Sequence, residues 1–361
     1  LSPERGGRGL PSGQALQRMR AIRNDSRVTL LTRANSDRPR GIEYSIIDFA
    51  SSAGDPRDIA RSTSSWLNSA EMAELLARFN QTLTATGLRS RLAEAEQISR
   101  EIFDFRQGGE RWEAEKTEFS PCTAEAVDAL IGRIYRDPYD DPAAEFGVPT
   151  HGLVLGGRIN SCLLRAELLA SLLDQGLRIE RIWGLGSRRN AGDMEREVAS
   201  QLHLGPVADE LDAMCAALSH ALKLPPSVRS PQSPSEVRQL AMSPIPVAGL
   251  AAEPEQGNTR ATTSDTYRFF LETAGNLTEH DHVLIITSAI HAPFQHAQAL
   301  AELSVPTGAT ITSVGAHIGT SRQAAIRAEW TTTEWLQEIR SAIWSMRVMY
   351  EKLLAAYPNI E

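Results

Sequence analysis

The sequence predicts an α/β fold: a parallel sheet covered by helices on both faces, preceded by a mostly helical N-terminal region. Three observations carry this prediction. Beyond residue 150, apolar runs of strand length alternate with amphipathic stretches of helical period, the pattern of parallel strands joined by helical crossovers. The first run, His151-Gly-Leu-Val-Leu-Gly-Gly-Arg158, stops at two glycines and passes into a segment with Leu163, Leu164, Leu168, Leu169, Leu172 and Leu173 at helical spacing. The third is size, because 361 residues with 42% hydrophobic and 23% charged side chains suit a globular chain with a sizeable core.

The chain opens with a basic arm. Residues 1–40 carry nine arginines against three acids, so a net charge of −8 for the whole chain leaves −14 for the remainder. Such an arm suits an anionic surface or nucleic acid, but regular aromatic interleaving and a nucleic-acid motif are missing from it, which favours a solvated extension. Short strands are expected at 28–31 and 42–49, with Asp37, Pro39 and Gly41 as turn residues between them. Helical spacing then begins near Asn68 and Ser69, with Met72, Leu75, Leu76 and Phe79 on one face, and continues in helices at 88–103 and 123–135. Asp137-Pro-Tyr-Asp-Asp-Pro142 interrupts it. This divides the chain into the arm, a mostly helical region over 41–145 and an α/β domain over 146–361.

Within that domain, strands are expected at 152–155, 179–184, 246–251, 283–288 and 310–314, and helices at 161–173, 193–202, 208–222, 259–271, 293–303 and 331–356. The last helix has a start signal, Thr331 with Glu334 three residues on, which is the pattern of a capping box. Seven prolines between Leu224 and Pro254 place a long loop at about 224–245. Three widely spaced cysteines, Cys122, Cys162 and Cys215, suggest neither a disulfide framework nor a zinc cluster, so a reducing, cytoplasmic setting is expected. The apolar runs are too short to span a membrane.

Several of these motifs follow one another in the order of a known family. His151 to Gly157, Arg165-Ala166, Trp183-Gly-Leu-Gly-Ser187, Glu255-Gln-Gly-Asn-Thr259 and Ile285-Ile-Thr-Ser-Ala-Ile-His291 resemble the YdcF/SanA/ElyC-like proteins over about residues 150–314. The resemblance implies a Rossmann-like, three-layer α/β domain of mostly undefined activity, several of whose members are linked to the bacterial envelope. It also singles out Glu195.

The residues themselves suggest where chemistry could occur. Gly156 and Gly157 let the backbone approach an anion at the start of a helix, where Arg158 or Arg165 could add a charge-assisted contact. Gly184, Gly186 and Ser187, followed by Arg188 and Arg189, repeat the arrangement after the second strand. Glu255 could serve as a base or bind a hydroxyl, with Asn258 and Thr259 orienting a ligand or simply capping a helix. Ser288 and His291 end a later strand, where histidine suits proton transfer near neutral pH. Gly-x-Ser-x-Gly is missing around Ser288, and Gly-x-Gly-x-x-Gly after the first strand, which argues against a serine-hydrolase triad and a dinucleotide dehydrogenase. His291 and His296, like His280 and His282, lack zinc-binding spacing, so no metal is expected, and the sequence names no cofactor. The expected ligand is a phosphorylated or nucleotide-like small molecule, handled by a hydrolase or group-transfer enzyme with His291 and Glu255 as the acid/base groups. The alternative is a non-catalytic metabolite-binding or protein-interaction module.

Overall fold

The computed structural model describes residues 42–48, 54–105, 117–225, 233–274, 277–319 and 330–360. The basic arm and the strand expected at 28–31 lie outside the described residues. The chain enters through strand β1 (Tyr44–Ile47), followed by helices α1 (Pro56–Leu67), α2 (Ala70–Ala77), α3 (Leu88–Ile102) and α4 (Pro121–Gly132), the short strand β2 (Tyr135–Arg136) and helix α5 (Pro142–Phe146). Local chemistry starts these helices. Asp55 accepts the Arg57 amide at 2.8 Å ahead of Pro56, and the side chains of Ser69 and Ser120 accept the amides of Met72 and Thr123.

Strand–helix alternation follows, in the order β3 (His151–Val154), α6 (Ile159–Asp174), β4 (Arg181–Gly186), α7 (Asp193–Gln201), α8 (Glu210–Ala221), β5 (Glu236–Ala241), β6 (Val247–Ala251), α9 (Thr263–Ala274), β7 (His282–Ser288), α10 (Ala292–Ala299), β8 (Thr310–Ala316) and α11 (Thr332–Ala356). Helix α10 runs on through a wide turn at Leu300–Ser304. Thr331 and Glu334 cap α11 reciprocally, the Glu334 amide donating to Thr331 Oγ1 at 3.3 Å and the Thr331 amide to Glu334 Oε2 at 2.9 Å.

Eight strands form one sheet in the order β2-β1-β8-β7-β3-β4-β6-β5. The sheet is mixed rather than wholly parallel as expected. Its five central strands are parallel, whereas β5 runs antiparallel to β6, β1 to β8 and β2 to β1. The reason at one edge is connection length: only residues 242–246 join β5 to β6, enough for a hairpin but too few for a parallel crossover. Strand β5 also occupies part of the segment expected to be a proline-rich loop.

Alternate residues of the central strands feed two cores. Leu153, Trp183, Val283 and Ile285 pack with Leu92 of α3, Phe270 of α9 and Leu336 and Ile343 of α11. Val154, Ile182, Leu284 and Ile286 pack on the other side with Leu164 and Leu168 of α6 and Met214 and Leu218 of α8. Counted in chain order, the parallel strands lie 3-2-1-4-5 across the sheet, and the order reverses between β3 and β7. In open α/β sheets such a reversal is where ligands generally bind, outside the carboxyl ends of the strands on either side of it.

Candidate site at the carboxyl edge of the sheet

At the point of reversal the side chain that joins the two strands is Arg165, which is 1% exposed. It reaches from α6, donating through Nε to Ser288 Oγ at 3.0 Å and through Nη1 to the carbonyls of Leu155, at 2.8 Å, and Gly156. A buried guanidinium thus supplies donors to carbonyls that the end of the ladder leaves behind.

The start of α6 is already occupied by an anion of the chain's own. Glu195, in the first turn of α7, accepts the Ile159 amide at 3.0 Å, the Gly192 amide at 3.0 Å and both terminal nitrogens of Arg189, at 2.8 and 2.9 Å. Burial pushes the Glu195 carboxyl up, but the Arg189 fork and the two amides outweigh it and hold the group below the usual range. Arg189 also donates to the Gly157 carbonyl at 3.2 Å. Arg158 is the exposed residue that caps α6 in extended conformation, without a side-chain cap bond.

Gly156 is a glycine because its surroundings are full. A Cβ there would lie 2.4 Å from Glu210 Oε1 and 2.4 Å from the Leu185 carbonyl oxygen. Glu210 accepts a hydrogen bond from Ser187 Oγ, and burial raises its pKa despite Ser187 and Arg189 nearby. Gly184 and Gly186 likewise make room for α8: a Cβ on Gly184 would meet Met214 Cγ at 2.5 Å, and one on Gly186 would meet Leu211 Cα at 3.0 Å. Both glycines serve helix packing.

Strand β7 ends at Ser288 and turns tightly through Ala289–His291. The Tyr135 hydroxyl donates to the Ala289 carbonyl, and Gly315 lets the turn approach β8, since a Cβ there would be 2.6 Å from Ala289 Cα. His291 Nδ1 then stands 3.4 Å from Glu338 Oε2 of α11, with the two side chains 18% and 4% exposed. The rings of Phe294 and Trp330 lie 6.0 Å from the imidazole.

The third expected group is elsewhere. Glu255, Asn258 and Thr259 are exposed, in a turn closed by the Asn258 amide on the Glu255 carbonyl at 2.9 Å, and Glu255 pairs with Arg268 at 3.4 Å. Helix α9 begins four residues later than expected, because Thr262 and Asp265 bond reciprocally there: the Thr262 amide donates to Asp265 Oδ2 at 2.7 Å, and the Asp265 amide to Thr262 Oγ1 at 3.3 Å.

Arg165 therefore joins Gly156 to Ser288, while Arg189, Glu195 and Glu210 join Gly157 to Ser187 in a separate group. His291 is held separately by Glu338. Sequence reasoning missed Glu210, Glu338 and Tyr135, which stand beside other polar residues, Asp209, Gln337 and Arg136, and so give no local signal. Among the described residues, no group of three or more His, Cys, Asp or Glu side chains is arranged to hold a metal ion, and no helix is long and apolar enough to cross a membrane.

Comparison with known proteins points away from the resemblance drawn above. Residues 50–134, spanning α1 to α4, match the family model described as the Rv3785 N-terminal domain. Over 296 residues the chain is 26% identical to uncharacterized protein Rv3785 of Mycobacterium tuberculosis strain H37Rv and to uncharacterized protein Mb3814 of Mycobacterium bovis, covering 78% of this chain and 81% of each relative. No solved structure matches. The similarity is thus to Rv3785 and not to the YdcF/SanA/ElyC-like family. The glycine turns and strand-end residues that suggested that family follow from packing at the carboxyl edge of parallel strands, a demand that unrelated α/β chains share.

Proposed function

We propose that this chain binds a phosphorylated or nucleotide-like small molecule at the carboxyl edge of its parallel strands, and that His291 moves a proton there in a hydrolytic or group-transfer reaction. In this reading residues 146–361 act as a Rossmann-like, three-layer ligand domain, and the helical region over 41–145 lies ahead of it. The observation that carries the proposal is the reversal of strand order between β3 and β7, with His291 three residues beyond the end of β7. Because Glu195 takes the Ile159 amide, the exposed Arg158 at the start of α6 is the cation offered to a ligand's anionic group. The field of the helix end would add only about 0.3–1 kcal/mol, so the guanidinium supplies most of the attraction.

The test is a thermal-shift screen against nucleotides, nucleotide sugars and simple phosphates, repeated on Arg158→Ala and His291→Ala. A ligand at about 100 times its dissociation constant stabilises the fold by ~2.7 kcal/mol, which is easily seen. The expected result is a hit that weakens in Arg158→Ala and persists in His291→Ala, with turnover of that ligand lost only in the latter. No shift with any of these compounds would overturn the proposal.

A second reading, a non-catalytic metabolite-binding or interaction module, is favoured by the exposure of Glu255, which leaves the expected partner of His291 outside an enclosed site. It predicts ligand binding by the wild type with no turnover.

A further inference from the structure

The pairing of His291 with a buried carboxylate from a helix 47 residues away in sequence bears on how that histidine would work. Glu338 lies on α11 between Gln337, whose Oε1 accepts the Phe105 amide at 3.2 Å, and Ile339, which belongs to the core. A carboxylate carried into such surroundings is costly unless a donor or cation meets it. The imidazole of His291 stands within ion-pair distance. The turn that presents the imidazole is itself fixed, by the Tyr135 hydroxyl on Ala289 and by the close approach of Gly315. Tyr135 is a further titratable group on this side; burial raises its pKa, and the charge of Glu338 raises it further, which keeps it a neutral phenol.

We infer that Glu338 is a positioning residue for His291: its carboxylate accepts the Nδ1–H, which fixes one imidazole tautomer and assigns proton exchange with a ligand to Nε2. A neutral imidazole carries its proton on one nitrogen, and the partner of that nitrogen decides which. At 3.4 Å the contact is an ion-pair approach without hydrogen-bond geometry, and catalytic pairs often align only when a ligand closes the site. Nothing is transferred to Glu338 in this arrangement. It remains a carboxylate while a proton moves to or from Nε2.

This inference rests on the reading of His291 as the proton-transfer group, but its test needs no ligand, so the two can fail separately. In nitrogen-15 spectra of the ligand-free wild type above the histidine titration, His291 is expected in the Nδ1–H form. In Glu338→Gln that preference should be lost, and in Glu338→Asp partly kept. A wild-type His291 in the Nε2–H form, or an unchanged tautomer in Glu338→Gln, would overturn the assignment. Should the Gln variant not fold, the wild type still decides the matter. The carboxyl carbon of Glu338 must shift with the same pH midpoint as His291, and independent titration of the two would overturn it equally. A purely structural role for Glu338 predicts loss of stability but no change in tautomer.

Discussion

Arg165 shows how one buried side chain can set the geometry at a point where strand order reverses. Its guanidinium serves two backbone carbonyls at the end of β3 and a hydroxyl at the end of β7, groups with no ladder partner at that level. Replacing it with methionine keeps most of the apolar stem and removes the donors. The variant is expected to lose about 3 kcal/mol or more of stability, since each stranded polar group costs about 1–3 kcal/mol, and urea unfolding measures this directly. A loss below about 1 kcal/mol would mean that water takes over the role of the guanidinium. The same region shows where a sequence misleads at the scale of single residues. Gly156 is legible as a position that must be glycine, but the letter is the same whether the space is kept for a ligand or filled by Glu210 and the Leu185 carbonyl. Glu195, likewise, reads as an acid favoured in a first turn, and besides the Gly192 amide of its own helix its carboxylate takes the Ile159 amide of α6, which the sequence does not reveal.

Among elements, legibility follows hydrophobic pattern. Strands β3, β4, β6, β7 and β8 lie within a few residues of their expected positions because their central residues are buried on both faces and read as continuous apolar runs. Strand β5 inverts the usual rule. Glu236 and Arg238 point inward, 8% and 5% exposed, while Val237 is 44% exposed, so alternation of apolar and polar residues cannot reveal which face is buried. An ion-pair network holds the strand instead: Arg238 bonds Asp212 at 2.8 Å and Glu236 at 2.9 Å, and Arg188 bonds Asp209 at 2.8 Å as well as Glu236. Long-range pairs of this kind leave no local signal in a sequence. Because both partners are buried, removing one leaves an uncompensated charge, which costs about 3–5 kcal/mol. Arg238→Ala should therefore loosen β5 first, and hydrogen exchange should speed up in the amides of Val237 to Ala241 more than in those of β6. Equal protection in the variant and the wild type would show that the ladder to β6 alone keeps the edge in place.

For the whole molecule, the sign of the pH dependence follows from which buried groups must change charge. Burial lowers the pKa of His151, His282 and His317 below their ordinary value of 6.5, so all three are neutral in the fold near neutral pH. Their contacts suit that state: Trp183 Nε1 donates to His151 Nδ1 at 3.2 Å, and His282 and His317 share hydrogen bonds with Thr312 and Ser45 at 2.9 and 2.8 Å. As pH falls through 6.5 the unfolded chain takes up protons that the folded chain refuses, so stability present above that value is lost on acidification. The carboxylates of Glu195 and Glu236, held below 4.5 by their arginines against the opposing effect of burial, extend the loss to lower pH in the same direction. Glu210 works in the opposite sense. Its raised pKa means that the fold binds that proton more tightly than the unfolded chain does, a contribution fully present below 4.5 and lost as pH rises through the folded value. The three histidines and the two arginine-paired carboxylates share one direction, which Glu210 opposes. Urea midpoints should be level from about pH 8 to 7 and fall from about 6.5 downward, with the fall shallower in His317→Gln and steeper in Glu210→Gln. A midpoint that holds or rises between pH 7 and 5 would mean that these histidines accept protons without leaving the fold.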